Sequence, residues 1–373
     1  MIPVTKSFLP PIDEYMSQVN RAYKNEWLTN RGELVHELET KISNYLQLVN
    51  TNILCTNNGT TPLQIALKSL GGNGEVITTP FSYVATTAAI VWEGCSPVFV
   101  DIHPEYLTID ETKIEDAITS KTTCILATHV YGNPCNVEEI ERIAKKHKLK
   151  VIYDAAHCFG VQYKGKSIFE YGDVSTCSFH ATKIFHTGEG GAIFCNNMEL
   201  FDELYYRHNF GHKGSQEFHG LGMNAKLSEL HSAMGISILP YFDAIVKERQ
   251  KVCDYYDSKL THKDINKLKL RKDTKWNFSY YPIILKNEEQ VIMLTEKLKE
   301  QNIYVRRYFY PSLNKLPYIK SNEFCETSEN LSSRVICLPN YCGLNDRDKD
   351  FIIQTIKASL DFSSNSQSIF IDT

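Results

Sequence analysis

Lys183 is the residue of this chain whose setting most invites chemistry. It lies in Ser178–Ala192, SFHATKIFHTGEGGA, between two β-branched and aromatic runs, Val174–Phe179 and Gly191–Cys195, that read as strands. A lysine on an irregular connection between buried strands is costly to place. One reason to place it is that a deprotonated amine is a nucleophile and forms Schiff bases. A loop lysine facing water accounts for the same residue, so the other segments have to decide.

Four of them bear on the choice. The apolar run Val151–Tyr153 delivers Asp154 to a strand end, followed by Ala155, Ala156 and His157. A carboxylate there suits a cationic partner such as a protonated ring nitrogen, or it caps the next turn. Asn57–Pro62, with Gly59 and Thr60 at its centre, opens a helix, with Thr61 read as the N-cap and Pro62 as the first helical residue. Such a terminus offers amides and a dipole to a phosphate, and an ordinary cap looks the same. Ser178, five residues before Lys183, has a hydroxyl to add to that cradle or to show to solvent. Tyr83, just after Thr79-Pro80, is placed to stack on a planar ligand or to pack in the core.

Two other patterns do not lead to a site. Gly160–Ser167, GVQYKGKS, matches the P-loop spelling. Its interior reads instead as strand, turn and return strand, and Gly172 and Asp173 leave no room for the helix a P-loop needs. The 12 histidines form no HExxH motif, and His157, His180 and His186 near the lysine do not require a metal.

Placing these side chains requires strands that end at a common edge. From Glu75 to Asp154 strand and helix alternate: strands at 75–79, 96–101, 121–128 and 149–153, helices at 83–92, 111–118 and 137–147. That alternation predicts a mostly parallel sheet sandwiched by helices, with ligands beyond the strands' carboxyl ends. Helices at 12–24 and 33–46 and a strand at 53–56 precede it. The later part reads as a smaller α+β unit, with strands at 275–285 and 304–310 and helices at 241–260, 288–301 and 347–360. The expected division is a large domain over 27–240 and a small one from 1–26 and 241–373, with a loose tail from about Asp361.

Composition excludes several classes. A net charge of -4 gives no footprint for nucleic acid. No apolar stretch approaches the ~20 residues of a membrane span. The N-terminus lacks a signal-peptide run, and eleven cysteines without a CxxC pair suit a reducing, cytoplasmic setting.

The order of Asn57-Asn58-Gly59-Thr60-Thr61-Pro62, Thr79–Thr86, Asp154–His157, Ser178–Lys183 and Gly188–Ala192 resembles the DegT/StrS sugar-nucleotide aminotransferases over about the whole chain except its tail. Trp27–Glu39 and Gly222-Met223-Asn224 fit the same pattern. The resemblance implies a fold-type I pyridoxal phosphate enzyme, a homodimer with sites at the subunit interface. It makes Lys183 the Schiff-base lysine, Asp154 the partner of the pyridinium nitrogen and His157 a neighbour of the phenolic oxygen. Tyr83 stacks on the ring, Gly59, Thr60 and Ser178 hold the phosphate, and Asn224 reaches in from the partner subunit. Asn30, His186 and Tyr310 are the substrate-binding expectations. Two departures stand out: Lys226 where the family often has arginine, and Ile184–Thr187 where it is often Asn-Leu-rich. That segment and Arg306–Pro311 look most like the branch aminating C4 of dTDP-4-keto-6-deoxyglucose to give the dTDP-4-amino-4,6-dideoxy (viosamine-type) sugar for O-antigen, with L-glutamate as donor. Amination at C3 or of a UDP-linked keto sugar is the near alternative. A same-fold dehydratase carries histidine in place of the lysine, and a non-catalytic binding or regulatory scaffold is expected to lose Lys183 or Asp154; this chain keeps both.

Overall fold

The computed structural model describes residues 1–320 and 323–368. Nine strands come first: β1 Asn52–Thr56, β2 Glu75–Thr78, β3 Ser96–Phe99, β4 Thr122–Thr128, β5 Lys150–Asp154, β6 Gln162–Tyr163, β7 Lys166–Ser167, β8 Val174–Ser178 and β9 Gly191–Cys195. Seven of them form one sheet in the order β1-β9-β8-β5-β4-β2-β3. All its pairings are parallel except the two made by β9, which runs against β1 and β8. This is the mostly parallel, helix-covered sheet that the alternation of strands and helices predicts.

Both faces of the sheet are buried, which is why its strands read as apolar runs rather than as alternating ones. In β4, Ile125 and Ala127 pack with Leu34, Leu38 and Ile42 of the helix Glu33–Leu46 on one face. Cys124 and Leu126 pack with Leu63, Ala66 and Ile90 on the other. The carboxyl ends of β1, β2, β4, β5 and β8 carry Thr56, Thr78, Thr128, Asp154 and Ser178, so one edge of the sheet is lined with hydroxyls and a carboxylate. Register places Thr128 opposite Asp154 and Ser178 opposite Gly191.

The remaining strands are β10 Asn266–Lys267, β11 Thr274–Lys275, β12 Tyr281–Ile284 and β13 Val335–Leu338. A second, antiparallel sheet, β10-β12-β13, packs with helices Phe242–Lys259, Glu288–Glu300 and Asp346–Ser368 around its own apolar core of Val252, Tyr256, Ile283, Leu294, Ile336 and Ile352. The P-loop spelling is a hairpin: β6 and β7 pair through Lys164 and Gly165, both at positive φ, as a two-residue turn of this hand requires. A 3₁₀ turn, Ile168–Glu170, follows.

Several expected elements differ. The helix expected over 111–118 is two 3₁₀ turns, Glu111–Lys113 and Glu115–Ala117. The strand expected over 275–285 is interrupted at Phe278, whose φ is +54°, so β11 joins the hairpin and β12 the second sheet. No strand forms over 304–310. Arg306 makes a single bridge to Cys337, and Tyr308 and Phe309 bury in an aromatic cluster instead of a pleated face. The last helix runs on through Asp361 to Ser368, where a loose tail was expected; residues 369–373 lie outside the described residues.

Candidate active site

A cavity at the carboxyl edge of the large sheet gathers Gly59, Thr60, Tyr83, Asp154, His157, Ser178 and Lys183 in its walls. Lys183 is brought there by its neighbours. Ile184 and Phe185 are buried, and Phe185 stacks on Phe159 at 4.1 Å between ring centres. The loop closes on itself through Ala181 N–H to the Gly188 carbonyl (2.7 Å) and Thr187 N–H to the Phe179 carbonyl (2.9 Å). Anchoring Ile184 and Phe185 in the core turns Lys183 toward the cavity, where its Nζ is 3.4 Å from the Tyr280 hydroxyl. Burial pulls its pKa below the usual lysine value, opposed by Tyr308 and Asp154.

Asp154 is buried at the end of β5. Its Oδ2 accepts from the Thr86 hydroxyl at 2.7 Å and its Oδ1 from the Ala156 N–H at 3.1 Å. Thr86 in turn bonds Ser82, which bonds Thr128. Burial nevertheless pushes the carboxyl above its ordinary range, because these neutral donors and Lys183 only partly replace water. His157 accepts the Tyr131 N–H on Nδ1 at 3.3 Å, so the neutral ring carries its proton on Nε2. Burial holds its pKa well below the usual imidazole value.

The phosphate-type turn is built differently from the expectation. The helix begins at Thr61 with Thr60 as its cap position, and neither threonine side chain caps it. Asn58 does so: its Oδ1 accepts from both the Thr60 and Thr61 amides, at 2.8 and 2.9 Å. Those amides are therefore engaged, and Asn58, Gly59, Thr60 and Ser178 all line the cavity. Gly59 lies so close to β8 that a Cβ on it would stand 2.6 Å from the Ser178 Cβ. Gly191 likewise admits the Asn58 carbonyl, which a Cβ would meet at 2.3 Å. The glycine after the lysine thus serves the turn opposite it.

Four expected residues lie outside this cavity wall. His186 is buried and its Nε2 pairs with the Phe8 carbonyl at 2.8 Å, tying the N-terminal segment to the lysine loop. Asn30 is exposed at positive φ. Tyr310 is half exposed, with the Arg307 guanidinium 3.5 Å above its ring. Asn224 is exposed, and its Oδ1 accepts from Lys226 at 2.7 Å. Conversely, Thr128, Tyr280, Arg306, Tyr308 and Phe309 line the cavity, and Thr86 braces Asp154 from behind. Thr86 left a legible trace, since it and Thr87 are the two polar residues of the apolar helix Val84–Trp92. The others come from segments read as plain strands.

The residues fit a phosphorylated pyridine. A buried carboxylate surrounded by neutral donors suits a cationic ring nitrogen, and an amine with a lowered pKa suits an aldehyde. The Gly59–Ser178 approach brings the Thr60 and Ser178 residues, each with a hydroxyl, together at a helix N-terminus that suits a phosphate. Residues 12–357 match the DegT/DnrJ/EryC1/StrS aminotransferase family. The chain belongs to that family. It is a pyridoxal-phosphate-dependent aminotransferase of nucleotide sugars. A dTDP-4-amino-4,6-dideoxy-D-glucose transaminase of Shigella dysenteriae is 40% identical over 364 residues, covering 95% of this chain and 98% of that one. A GDP-perosamine synthase of Escherichia coli O157:H7 is 32% identical, covering 91% and 93%. Among solved structures, DesI with its TDP-sugar product superposes with a TM-score of 0.92 at 26% identity, covering 100% of this aminotransferase and 96% of DesI.

Proposed function

We propose that this aminotransferase moves the amino group of L-glutamate to C4 of dTDP-4-keto-6-deoxyglucose, giving dTDP-4-amino-4,6-dideoxyglucose for O-antigen or a related glycan. The observation that carries the chemistry is the convergence of Lys183, Asp154 and the Gly59–Ser178 cradle in one cavity. The 40% identical relative named for that sugar favours the substrate.

Pyridoxal phosphate supplies, when bound, an aldehyde that takes an amine and an electron-poor ring that accepts the electrons of a broken C–H bond. The protein's part is placement and proton handling. Gly59, Thr60 and Ser178 would hold the phosphate. Asp154, with Thr86 and Ala156 fixing its oxygens, would pair with the ring nitrogen and keep it protonated. His157 would offer its Nε2–H to the phenolic oxygen, and Tyr83, half exposed at the cavity wall, would cover the ring. Lys183 would be the amine that takes a proton from the substrate carbon and returns it. Burial, which lowers its pKa, favours the unprotonated amine that this task needs.

The second subunit completes the site. Exposed Trp27, Leu28, Phe210, Phe218 and Leu221 offer apolar surface for a homodimer in which Asn224 of one subunit reaches the phosphate of the other. Asn30 and Tyr310, exposed in one chain, meet the nucleotide sugar at that junction; His186 acts through the loop it ties down. All eleven cysteines are free, which suits the cytoplasm, and among the described residues no helix is long and apolar enough to cross a membrane.

The test is product analysis with glutamate and a panel of dTDP- and UDP-linked 4-keto and 3-keto sugars, alongside Lys183→Ala. The expected product is the 4-amino sugar on dTDP. The variant should fold, lose the visible absorbance of the bound cofactor and not turn over. A 3-amino or UDP-linked product moves the substrate assignment, and full turnover by Lys183→Ala ends the mechanism.

A further inference from the structure

Two consecutive arginines near the cavity are in opposite electrostatic states. Arg307 is neutralised: its guanidinium donates to Glu288 at 2.6 Å and to the Ser333 carbonyl at 3.1 Å, and it stacks on Tyr310. Arg306 faces the other way and lines the cavity with Lys183. Its guanidinium carbon stands 4.6 Å from the centre of the Tyr308 ring, and no carboxylate among the described residues pairs with it. Two backbone hydrogen bonds with Cys337 of β13, at 3.2 and 2.8 Å, hold the Arg306 backbone against the second sheet beside the cavity.

We propose that Arg306 binds the α-carboxylate of the amino donor. This rests on the aminotransferase reading of the same cavity. The path from the reacting lysine is short: Lys183 Nζ to the Tyr280 hydroxyl at 3.4 Å, Tyr280 against Tyr308 at 4.9 Å between centres, and Arg306 on Tyr308. An α-carboxylate sits one carbon from the reacting amine and so falls within this neighbourhood. A sugar nucleotide's diphosphate is a whole pyranose ring farther from C4. A planar guanidinium held on an aromatic face presents its forked N–H edge to a planar carboxylate. The keto sugar has no charge at the equivalent position, so the cation serves one half of the reaction only. A flat cation on Tyr308 tolerates the neutral sugar because Tyr308 remains its partner when the carboxylate leaves.

The experiment separates the halves in Arg306→Gln and Arg306→Lys holoenzymes. The cofactor's absorbance change in single turnover gives the half-saturating concentration of glutamate. The same measurement with the amino-sugar nucleotide, running the other half backward, gives that of the sugar. Calorimetric binding of glutarate, a dicarboxylate without an amine, gives an affinity independent of turnover. Arg306→Gln should raise the glutamate value about 10- to 100-fold, the loss of one charge-assisted bidentate contact. It should weaken glutarate similarly and leave the sugar value within about twofold. Arg306→Lys should recover only part. An unchanged glutamate value overturns the proposal, as does a selective loss on the sugar side, which assigns Arg306 to the diphosphate, or an equal loss on both, which makes it structural. Absence of any glutamate-dependent absorbance change in the unaltered protein would instead fail the aminotransferase reading itself.

Discussion

The Lys183 amine lies 3.4 Å from the Tyr280 hydroxyl, a contact between the loop after β8 and the segment that leads into β12. The two residues are 97 positions apart, and their meeting makes the second sheet part of the active site. Burial raises the Tyr280 phenol well above its usual pKa, so it stays protonated and acts on the lysine as a neutral hydrogen-bonding group. Tyr280→Phe should therefore lower kcat about fivefold, the worth of one hydrogen bond near 1 kcal/mol, without changing the thermal stability of the protein by more than about 1 kcal/mol. Rapid-quench measurement of the glutamate half-reaction checks this; an unaffected rate makes the contact incidental.

Asp154 carries a pH dependence whose sign follows from its raised pKa. A carboxyl whose folded pKa lies above its unfolded value of 3.8 binds more protons when folded. Its contribution is complete below 3.8 and is lost as pH rises through the folded value. The cofactor-free protein should thus lose stability over that window, and Asp154→Asn should remove the dependence. At neutral pH the cofactor-free variant should be more stable than the parent by about 1–3 kcal/mol, yet bind cofactor more weakly. Thermal unfolding of both proteins across pH, with and without cofactor, measures the two effects.

Gly59 leaves no room for a side chain against β8. A methyl group at this position would meet Ser178 Cβ at 2.6 Å and Oγ at 2.9 Å. Gly59→Ala should cost about 1–3 kcal/mol and weaken cofactor binding at least tenfold, since the displaced strand end carries Ser178, which we propose holds the phosphate. Adding Ser178→Gly should restore part of the stability and none of the affinity. Denaturant unfolding and cofactor titration separate these outcomes.

Asn277 stitches the two sheets together behind the site. Its Nδ2 donates to the His157 carbonyl at 2.8 Å and the Phe159 carbonyl at 2.9 Å, and the Ser279 hydroxyl adds a third bond, again to the His157 carbonyl, at 3.0 Å. Asn277→Ala leaves buried carbonyls short of donors and should destabilise the protein by about 2 kcal/mol or more. Because His157 moves with that backbone, cofactor affinity should fall as well. A variant with parental stability but weakened cofactor binding, or the reverse, would show that the stitch serves only one role.

The amino-acid order alone made legible the Lys183, Asp154, Ser178 and Gly59 side of the cavity and the frame that carries it. Lys183, Asp154, Ser178 and Gly59 stand at strand ends or in short turns beside them, and strands buried on both faces announce themselves as apolar runs whose ends are readable. Helices Ile12–Lys24, Glu33–Leu46 and Val137–His147 have the bounds their periodicity predicts. Only the tertiary structure decided the cavity's far wall and its electrostatics. Tyr280, Arg306 and Tyr308 approach from another sheet, and no local pattern encodes a contact made across 97 residues. The same holds for the choice between neighbours. Arg306 and Arg307 are identical in type and adjacent in sequence, and the fold alone pairs Arg307 with Glu288 and sets Arg306 on the cavity wall. His186 and Asn58 make the point in reverse. The histidine beside the lysine faces the Phe8 carbonyl, while the asparagine before the glycine holds the helix start, because packing and hydrogen-bond satisfaction are settled by what lies opposite a side chain and not by what precedes it.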